Sequence, residues 1–401
     1  MADPALLAHV LRRMTFGPGP GAVEALGDTD PSALIDTLLD APPLDVDDPE
    51  LGTNDDYDVL IRWWLQVLAR PDAGLHERMV WFWHGHLTSS LAKVEPALML
   101  RQHRLFREHA LGNARALFQA VTTDAAMLAW LDGNGSEAAN PNENYAREVM
   151  ELFALGHGNF SEADVRAGAY LFAGWYIDGD NSNAVVLDPE NGPTETRELL
   201  GATVSSSSEA IDAICDHEAF APHLAGKVYE HFVGTPPDDA VLGELAGVLR
   251  DSGLEIAPLV AAVVHRPEFL TSRANRPRTA LEFFLAARSF LETDLDHYVL
   301  DQLGQVPFQP PNVAGWPGSA RWVSAGATFA KVQLAVDNSG DTVATDTDDP
   351  VGDLLGKAAL YDVSAQTRRA LDQAAGAIDS RRDRATLLHA LVVASPEFSI
   401  S

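Results

Sequence analysis

Cysteine is almost absent from the sequence, which has Cys215 and no other. A single cysteine excludes an intramolecular disulfide and any metal site that needs several thiolates. Cys215 follows Ile211 and Ile214 at helical spacing. We therefore interpret it as a buried core thiol rather than a nucleophile.

Positive charge is also scarce, because 28 Lys and Arg residues face 58 Asp and Glu residues and give a formal net charge of −30. Phosphate binding needs clustered cations, so this balance argues against nucleic acid and anionic membranes as partners. Nearly all the positive charge is arginine, which suits fixed bidentate ion pairs. A GC-rich genome or a salt-adapted host would explain the same bias. The lysines are Lys93, Lys227, Lys331 and Lys357.

Long apolar runs are missing, since no stretch of about 18 apolar residues occurs that would span a membrane. The first residues lack the basic start, apolar stretch and cleavage site of a secretory signal. We therefore expect a cytoplasmic protein without membrane insertion. No phosphate-binding loop, dinucleotide fingerprint, nucleophile elbow or haem-attachment motif is found, so many familiar enzyme classes lose support.

Apolar residues recur at helical spacing along most of the chain. The stretch from 75 to 131 predicts three or four helices, broken at Gly85, Pro96 and Gly112. A further helix is predicted over 142–155, and the next begins with Ser161 as its N-cap. We therefore expect a mainly α fold, a multi-helix globular domain.

Residues 176–205 depart from this pattern and predict a minor β-hairpin or flap, with strands at 184–187 and 201–204. A single all-α domain over 1–401 is the simplest organisation. Two helical lobes, 1–175 and 206–401, joined by the flap are the alternative. The composition of residues 337–350 predicts an acidic polar linker.

Two histidines, His84 and His86, flank Gly85 within an aromatic segment. Neutral imidazoles are common metal ligands. On a helix the two side chains would point about 200° apart, so a shared metal requires non-helical backbone at Gly85. The alternative is that aromatic residues such as Trp83 form core while the histidines cap helices and form hydrogen bonds.

The predicted 142–155 helix places Glu143, Arg147 and Glu151 on one stripe, with Asn144 and Glu148 beside it. Its simplest interpretation is a solvated face with i,i+4 ion pairs. The paired carboxylates Glu148 and Glu151, next to an arginine, equally suit a divalent cation or acid–base chemistry. The short polar side chains crowded around the helix favour a binding site: Asn140, Asn142, Asn144 and His157.

Two later segments also carry candidates. His223, Lys227 and His231 share one helix face at i, i+4 and i+8, and the central lysine opposes a cation there. We interpret this stripe as an interface or as a face toward an anion. Residues 307–318 are too rich in proline for a helix, and the presence of Trp316 predicts an ordered loop that walls a cleft.

Several segments match a known family in order along nearly the whole chain. They include Leu11–Gly17, Phe82–His86, Ala129–Asp132, Asn142–Glu148, Met150–Phe153, Gly174–Trp175, Lys227, Pro267–Phe269, Gly304–Gln305 and Pro310–Trp316. On these residues the chain resembles the family called domain of unknown function 1800. The resemblance implies a bacterial, mainly helical protein whose relatives often carry export signals, and it implies no established reaction. It also implies a buried polar site formed by His84, His86, Asn142, Glu143, Asn144, Arg147 and Glu148.

Our first functional hypothesis is a hydrolase that acts on a polar, carbohydrate-like substrate in a cleft walled by the 307–318 loop and the 176–205 flap. The predicted catalytic residues are His84, His86, Glu143, Arg147 and Glu148, and a divalent metal would bind His84, His86 and Glu148. The predicted substrate-binding residues are Trp83, Asn142, Asn144, Glu151, His157 and Trp316. The alternative is a non-catalytic binding or assembly protein with a protein partner, in which the same polar cluster is a structural network.

Overall fold

The computed structural model describes residues 3–52, 57–316, 319–340 and 347–401. Within these ranges it contains 21 α-helices and two small antiparallel sheets, which confirms a mainly α fold with a minor β element. The helices are α1 Pro4–Met14, α2 Ala22–Leu26, α3 Pro31–Leu39, α4 Tyr57–Leu68, α5 Leu75–His86, α6 Pro96–His109, α7 Ala114–Thr122, α8 Ala125–Trp130, α9 Asn144–Glu148, α10 Glu162–Leu171, α11 Ser207–Asp216, α12 Phe220–Val233, α13 Asp239–Asp251, α14 Ile256–Val264, α15 Pro267–Thr271, α16 Ala280–Leu291, α17 Val299–Leu303, α18 Ala325–Asn338, α19 Pro350–Lys357, α20 Ala365–Ala377 and α21 Arg381–Val393.

Local sequence signals set several helix boundaries. Pro96 occupies the first turn of α6, where its missing N–H costs no hydrogen bond. Ser161 caps α10 as predicted, because its hydroxyl accepts from the Asp164 N–H while the Asp164 carboxylate accepts from the Ser161 N–H. Such reciprocal caps satisfy N–H groups that the first helical turn leaves unpaired.

Gly85 does not interrupt its helix, so the break predicted there is wrong: α5 continues through it to His86. The glycine instead allows a close approach between two segments. Gly315 has a φ of +83°, and a Cβ on it would lie 2.6 Å from the Gly85 carbonyl oxygen. The loop predicted over 307–318 therefore packs directly on the α5 backbone at Gly315.

The helix predicted over 142–155 begins at Asn144 and changes character within its length. After α9 the chain forms a π-helix over Val149–Ala154. A π-helix is rare in proteins and is often found at functional sites. This wider turn displaces the carbonyl groups at the end of the helix, and side chains from α5 and α12 reach two of them.

The predicted flap consists of two hairpins. β1 (Trp175–Asp178) pairs with β2 (Ala184–Leu187), and β3 (Arg197–Leu199) pairs with β4 (Ala202–Val204). The strand predicted at 184–187 is confirmed, and that predicted at 201–204 begins one residue later. The hairpins pack against α8, α10 and α11.

The buried apolar residues form one cluster that runs from Leu7 to Phe398 and so includes both halves of the chain. Cys215 lies in this core as predicted, and burial raises the pKa of its thiol to about 12. Of the predicted 337–350 linker, 337 and 338 lie in α18, α19 begins at Pro350, and 341–346 fall outside the described residues. None of the described helices is both long enough and apolar enough to cross a membrane.

Candidate ligand cleft

His84 is a core residue that holds a loop in place. It is buried in α5, and its Nε2 accepts a hydrogen bond from the Phe308 N–H at 3.0 Å. The rings of Trp64 and Trp316 lie 5.1 and 5.5 Å from its ring, centroid to centroid. Burial lowers the pKa of His84 to about 3. The imidazole is therefore neutral at physiological pH and accepts a hydrogen bond from a backbone N–H of the loop.

His86 has a corresponding role at the end of the π-helix. Its Nε2 donates to the Phe153 carbonyl at 2.8 Å, and the Nε2 of His223 donates to the Leu152 carbonyl at 3.0 Å. These two histidines supply donors to carbonyls at the end of the helix. Burial is the largest cause that lowers the pKa of His86, to about 3. A neutral His86 that donates through Nε2 keeps its Nδ1 as an acceptor.

The metal site predicted from His84, His86 and Glu148 is not assembled. The helical backbone at Gly85 directs the two histidines toward different segments, so the condition for a shared metal is not met. Across the described ranges, which include all three residues, no group of three or more His, Cys, Asp or Glu side chains is arranged to hold a metal ion.

Glu143 and Arg147 lie on the protein surface, contrary to the buried site that the resemblance implied. Arg147 donates to both carboxylate oxygens of Glu162, at 2.8 and 2.9 Å, and to Glu143 at 3.3 Å. The hydrogen bonds that Arg147 donates to Glu162 are the largest cause that raises the pKa of Arg147. The solvated-face interpretation correctly predicted the Glu143–Arg147 pair, but it missed Glu162.

Glu148 is half-buried on the same stretch, and burial together with the nearby Glu151 carboxylate raises its pKa. Glu151 pairs with His157 at 2.9 Å, and the His157 side chain is 85% exposed. The predicted Arg147–Glu151 pair is therefore replaced by a pair at the end of the helix. None of these three residues, Glu148, Glu151 and His157, lines the cleft described below.

Three further residues predicted to bind substrate, Asn142, Asn144 and Trp83, form hydrogen bonds with backbone groups of the protein. The Asn142 side chain accepts from the Asn144 N–H at 2.8 Å, and the Asn144 amide donates to the Leu131 carbonyl at 3.3 Å. Trp83 is fully buried and donates to the Ala110 carbonyl at 2.9 Å. The predicted polar cluster is thus divided among core contacts, hydrogen bonds to backbone groups and surface ion pairs.

A cleft of about 400 Å³ lies between α5, α12, the start of α16 and the loop that precedes residue 316. This volume is within the usual range of small-molecule sites. The predicted loop wall is confirmed through Val313, Ala314 and Trp316. The predicted flap wall is wrong, because none of residues 176–205, all of which the structure describes, lines the cleft. The other lining residues are Arg78, Trp81, Phe82, Gly85, His86, Leu152, Lys227, Glu230, His231, Gly234, Arg276, Thr279, Glu282, Gln305 and Trp322.

The cleft floor is a buried ion-pair cluster centred on Glu282. Arg276 donates to both Glu282 oxygens at 2.8 Å, and Arg78 donates to one of them at 2.5 Å. The Thr279 N–H also donates to this carboxylate, because Glu282 is the third residue of α16 and completes its capping box. Charge-assisted bidentate contacts of this kind are the strongest hydrogen bonds that a carboxylate forms.

Burial opposes ionisation of Glu282, but the charges of Arg276 and Arg78 outweigh it and hold its pKa well below the usual range. Burial lowers the pKa of Arg78 and, as the largest cause, that of His231. His231 is neutral because its Nε2 accepts from Arg78 Nε at 3.0 Å. The floor therefore contains two fixed guanidinium groups and one fixed carboxylate.

Aromatic side chains form the opposite wall. Trp316 stacks on Trp81 with ring centroids 4.8 Å apart and an interplanar angle of 19°. Trp81 is buried whereas Trp316 is half-buried, so Trp316 is the member of the pair with more accessible surface. The close approach of Gly315 to Gly85 brings Trp316 to this position. Trp316 was predicted as a binding residue, and it does line the cleft.

The rim comes from α12, where Lys227 and Glu230 are exposed and His231 follows one residue later. The sequence predicted an interface or an anion-facing stripe from His223, Lys227 and His231. Two of these residues, Lys227 and His231, line the cleft, and His223 instead caps the π-helix.

Sequence reasoning missed the cleft floor. Thr279 and Glu282 have the spacing of a capping box, which indicates a helix start but not an ion-pair partner. The abundance of arginine over lysine indicated fixed bidentate pairing without naming its members. Arg78 and Glu282 are 204 positions apart in the sequence, so no local pattern connects them.

The fold and the cleft together define a mainly α-helical protein with a charged, aromatic-walled cleft between its helices. The chain matches the family model described as "Protein of unknown function (DUF1800)" over residues 9–400, and it belongs to that family. The resemblance recognised from the sequence motifs is thereby confirmed. No curated protein and no solved structure matches the chain.

Proposed function

We propose that this protein binds a small organic anion in the cleft of Arg78, Arg276 and Trp316. The observation that carries the proposal is the excess of fixed cations on the cleft floor. Arg78 and Arg276 share one carboxylate, Glu282, and Lys227 adds a third positive charge at the rim. Guanidinium groups held in a buried geometry bind carboxylate and phosphate oxygens with little reorganisation.

Unused hydrogen-bond donors around the cleft support the same proposal. Within the described part of the chain, Arg78 Nη1, Trp316 Nε1 and Trp322 Nε1 are buried and have no acceptor. A buried donor without a partner costs about 1–3 kcal/mol, and native proteins leave few of them. A ligand rich in acceptor oxygens would reduce this cost, and an apolar ligand would not.

Lys227→Glu is the sharpest test, because Lys227 is exposed and its replacement leaves the buried pairs intact. We expect at least one of acetate, citrate, inorganic phosphate and glucuronate to bind the wild-type protein in isothermal titration. The variant should bind that anion at least about 10-fold more weakly, since charge reversal changes local attraction by roughly 1.4 kcal/mol or more. Arg250→Glu, an exposed cation on α13 that does not line the cleft, is the matched control. Binding of no anion, or equal losses in both variants, would refute the proposal.

A hydrolase acting on a polar substrate is the second candidate, and one observation favours it. The hydrogen bond to Phe153 fixes His86 in the tautomer whose Nδ1 accepts a proton, and Glu230 on the same cleft forms no ion pair among the described residues. These two groups would orient and deprotonate a water. Hydrolysis ranks second because a base works best with a pKa near the working pH, and burial lowers that of His86 to about 3.

His86→Gln tests the hydrolase candidate, since glutamine retains a donor for the Phe153 carbonyl. Glycosides and esters that bind the cleft should be cleaved by the wild-type protein, with product formation measured by chromatography. The variant should bind them normally and lose roughly 10²-fold or more in rate, as expected when a general base is removed. An unchanged rate would exclude His86 as the base.

The sequence-based expectations of a cytoplasmic location and of a protein partner remain predictions. Neither follows from the cleft. Fractionation of the native host would test the location, and the mass of the purified native complex would test the partner.

A further inference from the structure

The cleft also indicates which class of anion it accepts. Resting on the proposed function, we infer that the ligand is a saccharide that carries a carboxylate, such as an oligomer of uronic acids. Three features of the cleft lead to this class: its net charge, its indole wall and its neutral polar groups.

The charges that line the cleft leave one positive charge without a partner. Arg78, Arg276 and Lys227 contribute three cations, and Glu282 and Glu230 contribute two carboxylates. The two histidines on the cleft do not change this balance, because burial lowers the pKa of both. A single carboxylate therefore neutralises the cleft, and in an oligomer of uronic acids the remaining carboxylates would lie outside it in solvent. A phosphate monoester, with a charge of about −1.5 to −2 near neutral pH, would exceed it.

The indole wall suits a ring with an apolar face. Trp316 stacks on Trp81 through one face and is half-buried, so part of its surface remains accessible. A pyranose presents a patch of C–H groups on one face and hydroxyl groups around its edge. An indole covers the C–H patch and keeps an N–H donor at its own edge. The Nε1 atoms of Trp316 and Trp322, two residues that line the cleft, are buried and have no acceptor among the described residues.

Neutral polar groups complete the set that a polyhydroxylated ligand requires. The Oε1 of Gln305 accepts from the Leu281 N–H at 2.9 Å, which fixes the amide and leaves Nε2 as a donor. His86 contributes an acceptor at Nδ1 because its Nε2 donates to Phe153. Sugar hydroxyls both donate and accept, so this pair fits them better than it fits a simple aromatic acid.

Isothermal titration with trigalacturonate, galactotriose and inorganic phosphate tests the assignment. Trigalacturonate should bind the wild-type protein, and galactotriose, which lacks the carboxylates, should bind at least about 10-fold more weakly. Trp316→Ala and Lys227→Glu should each weaken trigalacturonate binding about 10-fold or more. Trp316→Phe should retain most of the affinity because it retains a ring. Trp63→Ala, which removes a tryptophan that does not line the cleft, should bind normally.

The possible failures are distinguishable. If phosphate or citrate binds in a Lys227-dependent way and trigalacturonate does not, the saccharide assignment is overturned while anion binding stands. Equal affinities for trigalacturonate and galactotriose would overturn the role of the carboxylate. Equal losses in Trp316→Ala and Trp63→Ala would overturn the role of the indole wall. If no anion binds, both the assignment and the proposed function are overturned.

Discussion

Glu282→Gln should lower the free energy of unfolding by about 3–5 kcal/mol, the usual cost of removing one partner from a buried ion pair. Arg78 and Arg276 would then face each other in the core without the carboxylate that holds them. The substitution retains the size of the side chain and remains compatible with the capping box, so the lost charge is the main change. Urea denaturation followed by circular dichroism at pH 7 would measure it.

Glu162→Gln provides the matched control. Glu162 also accepts two hydrogen bonds from one arginine, Arg147, but its side chain is 64% exposed. Exposed pairs contribute about 0–1 kcal/mol, so this variant should be nearly as stable as the wild type. Similar losses in the two variants would show that burial does not make the Glu282 cluster more important for stability than a surface ion pair.

Acidification should cause the second large effect: the free energy of unfolding should fall by at least about 3 kcal/mol between pH 6.5 and pH 5. His9 and His84 are buried, and burial is the main cause that lowers both pKa values to about 3. In the unfolded chain both titrate near pH 6.5, so below that pH the unfolded state binds protons that the folded state does not. Each histidine then costs up to about 1.4 kcal/mol per pH unit. His86 and His231, whose pKa values burial also lowers, add to the loss. The carboxylate of Glu282, whose pKa is depressed, adds to this loss only below about pH 4.5.

Denaturation curves at half-unit steps from pH 7.5 to pH 5 would show this slope. His84→Gln should reduce it by about one proton, and the exposed His157→Gln should leave it unchanged. A free energy of unfolding that stays flat between pH 7 and pH 5 would contradict the buried, neutral state of these histidines.

The fold was predictable because helices depend on local patterns. Apolar residues at 3.6-residue spacing gave the helical class, and Ser161 and Pro96 marked helix starts correctly. Gly85 misled the prediction, since a glycine within a helix is also the local signature of a break. Its actual role depends on Gly315, which approaches the α5 backbone from a distant part of the chain.

The candidate site was predictable only in part. Trp316 and Lys227 were recognised from their segments, and both line the cleft. His84 and His86 were predicted to be catalytic and metal-binding residues. The groups they bind, the Phe308 N–H and the Phe153 carbonyl, belong to remote segments. His84 and Phe308 are 224 positions apart. Sequence spacing therefore identified polar residues with fixed partners, but it could not distinguish a helix cap from a catalytic group.

At the start of α9 the motif resemblance, rather than the helix geometry, gave the wrong prediction. Helix geometry alone predicted an ordinary solvated face for Glu143 and Arg147, and the structure agrees. The motif resemblance then favoured a buried site there, which is wrong. Asn142 and Asn144 form local hydrogen bonds with backbone groups, and a motif match does not distinguish such contacts from ligand binding.

A crystal structure of the protein with bound glucuronate would test the central claim most directly. The carboxylate should lie within hydrogen-bond distance of Arg276, Arg78 or Lys227, with the sugar ring against Trp316. A glucuronate bound elsewhere, or a cleft that remains empty at a concentration that saturates binding in solution, would contradict it.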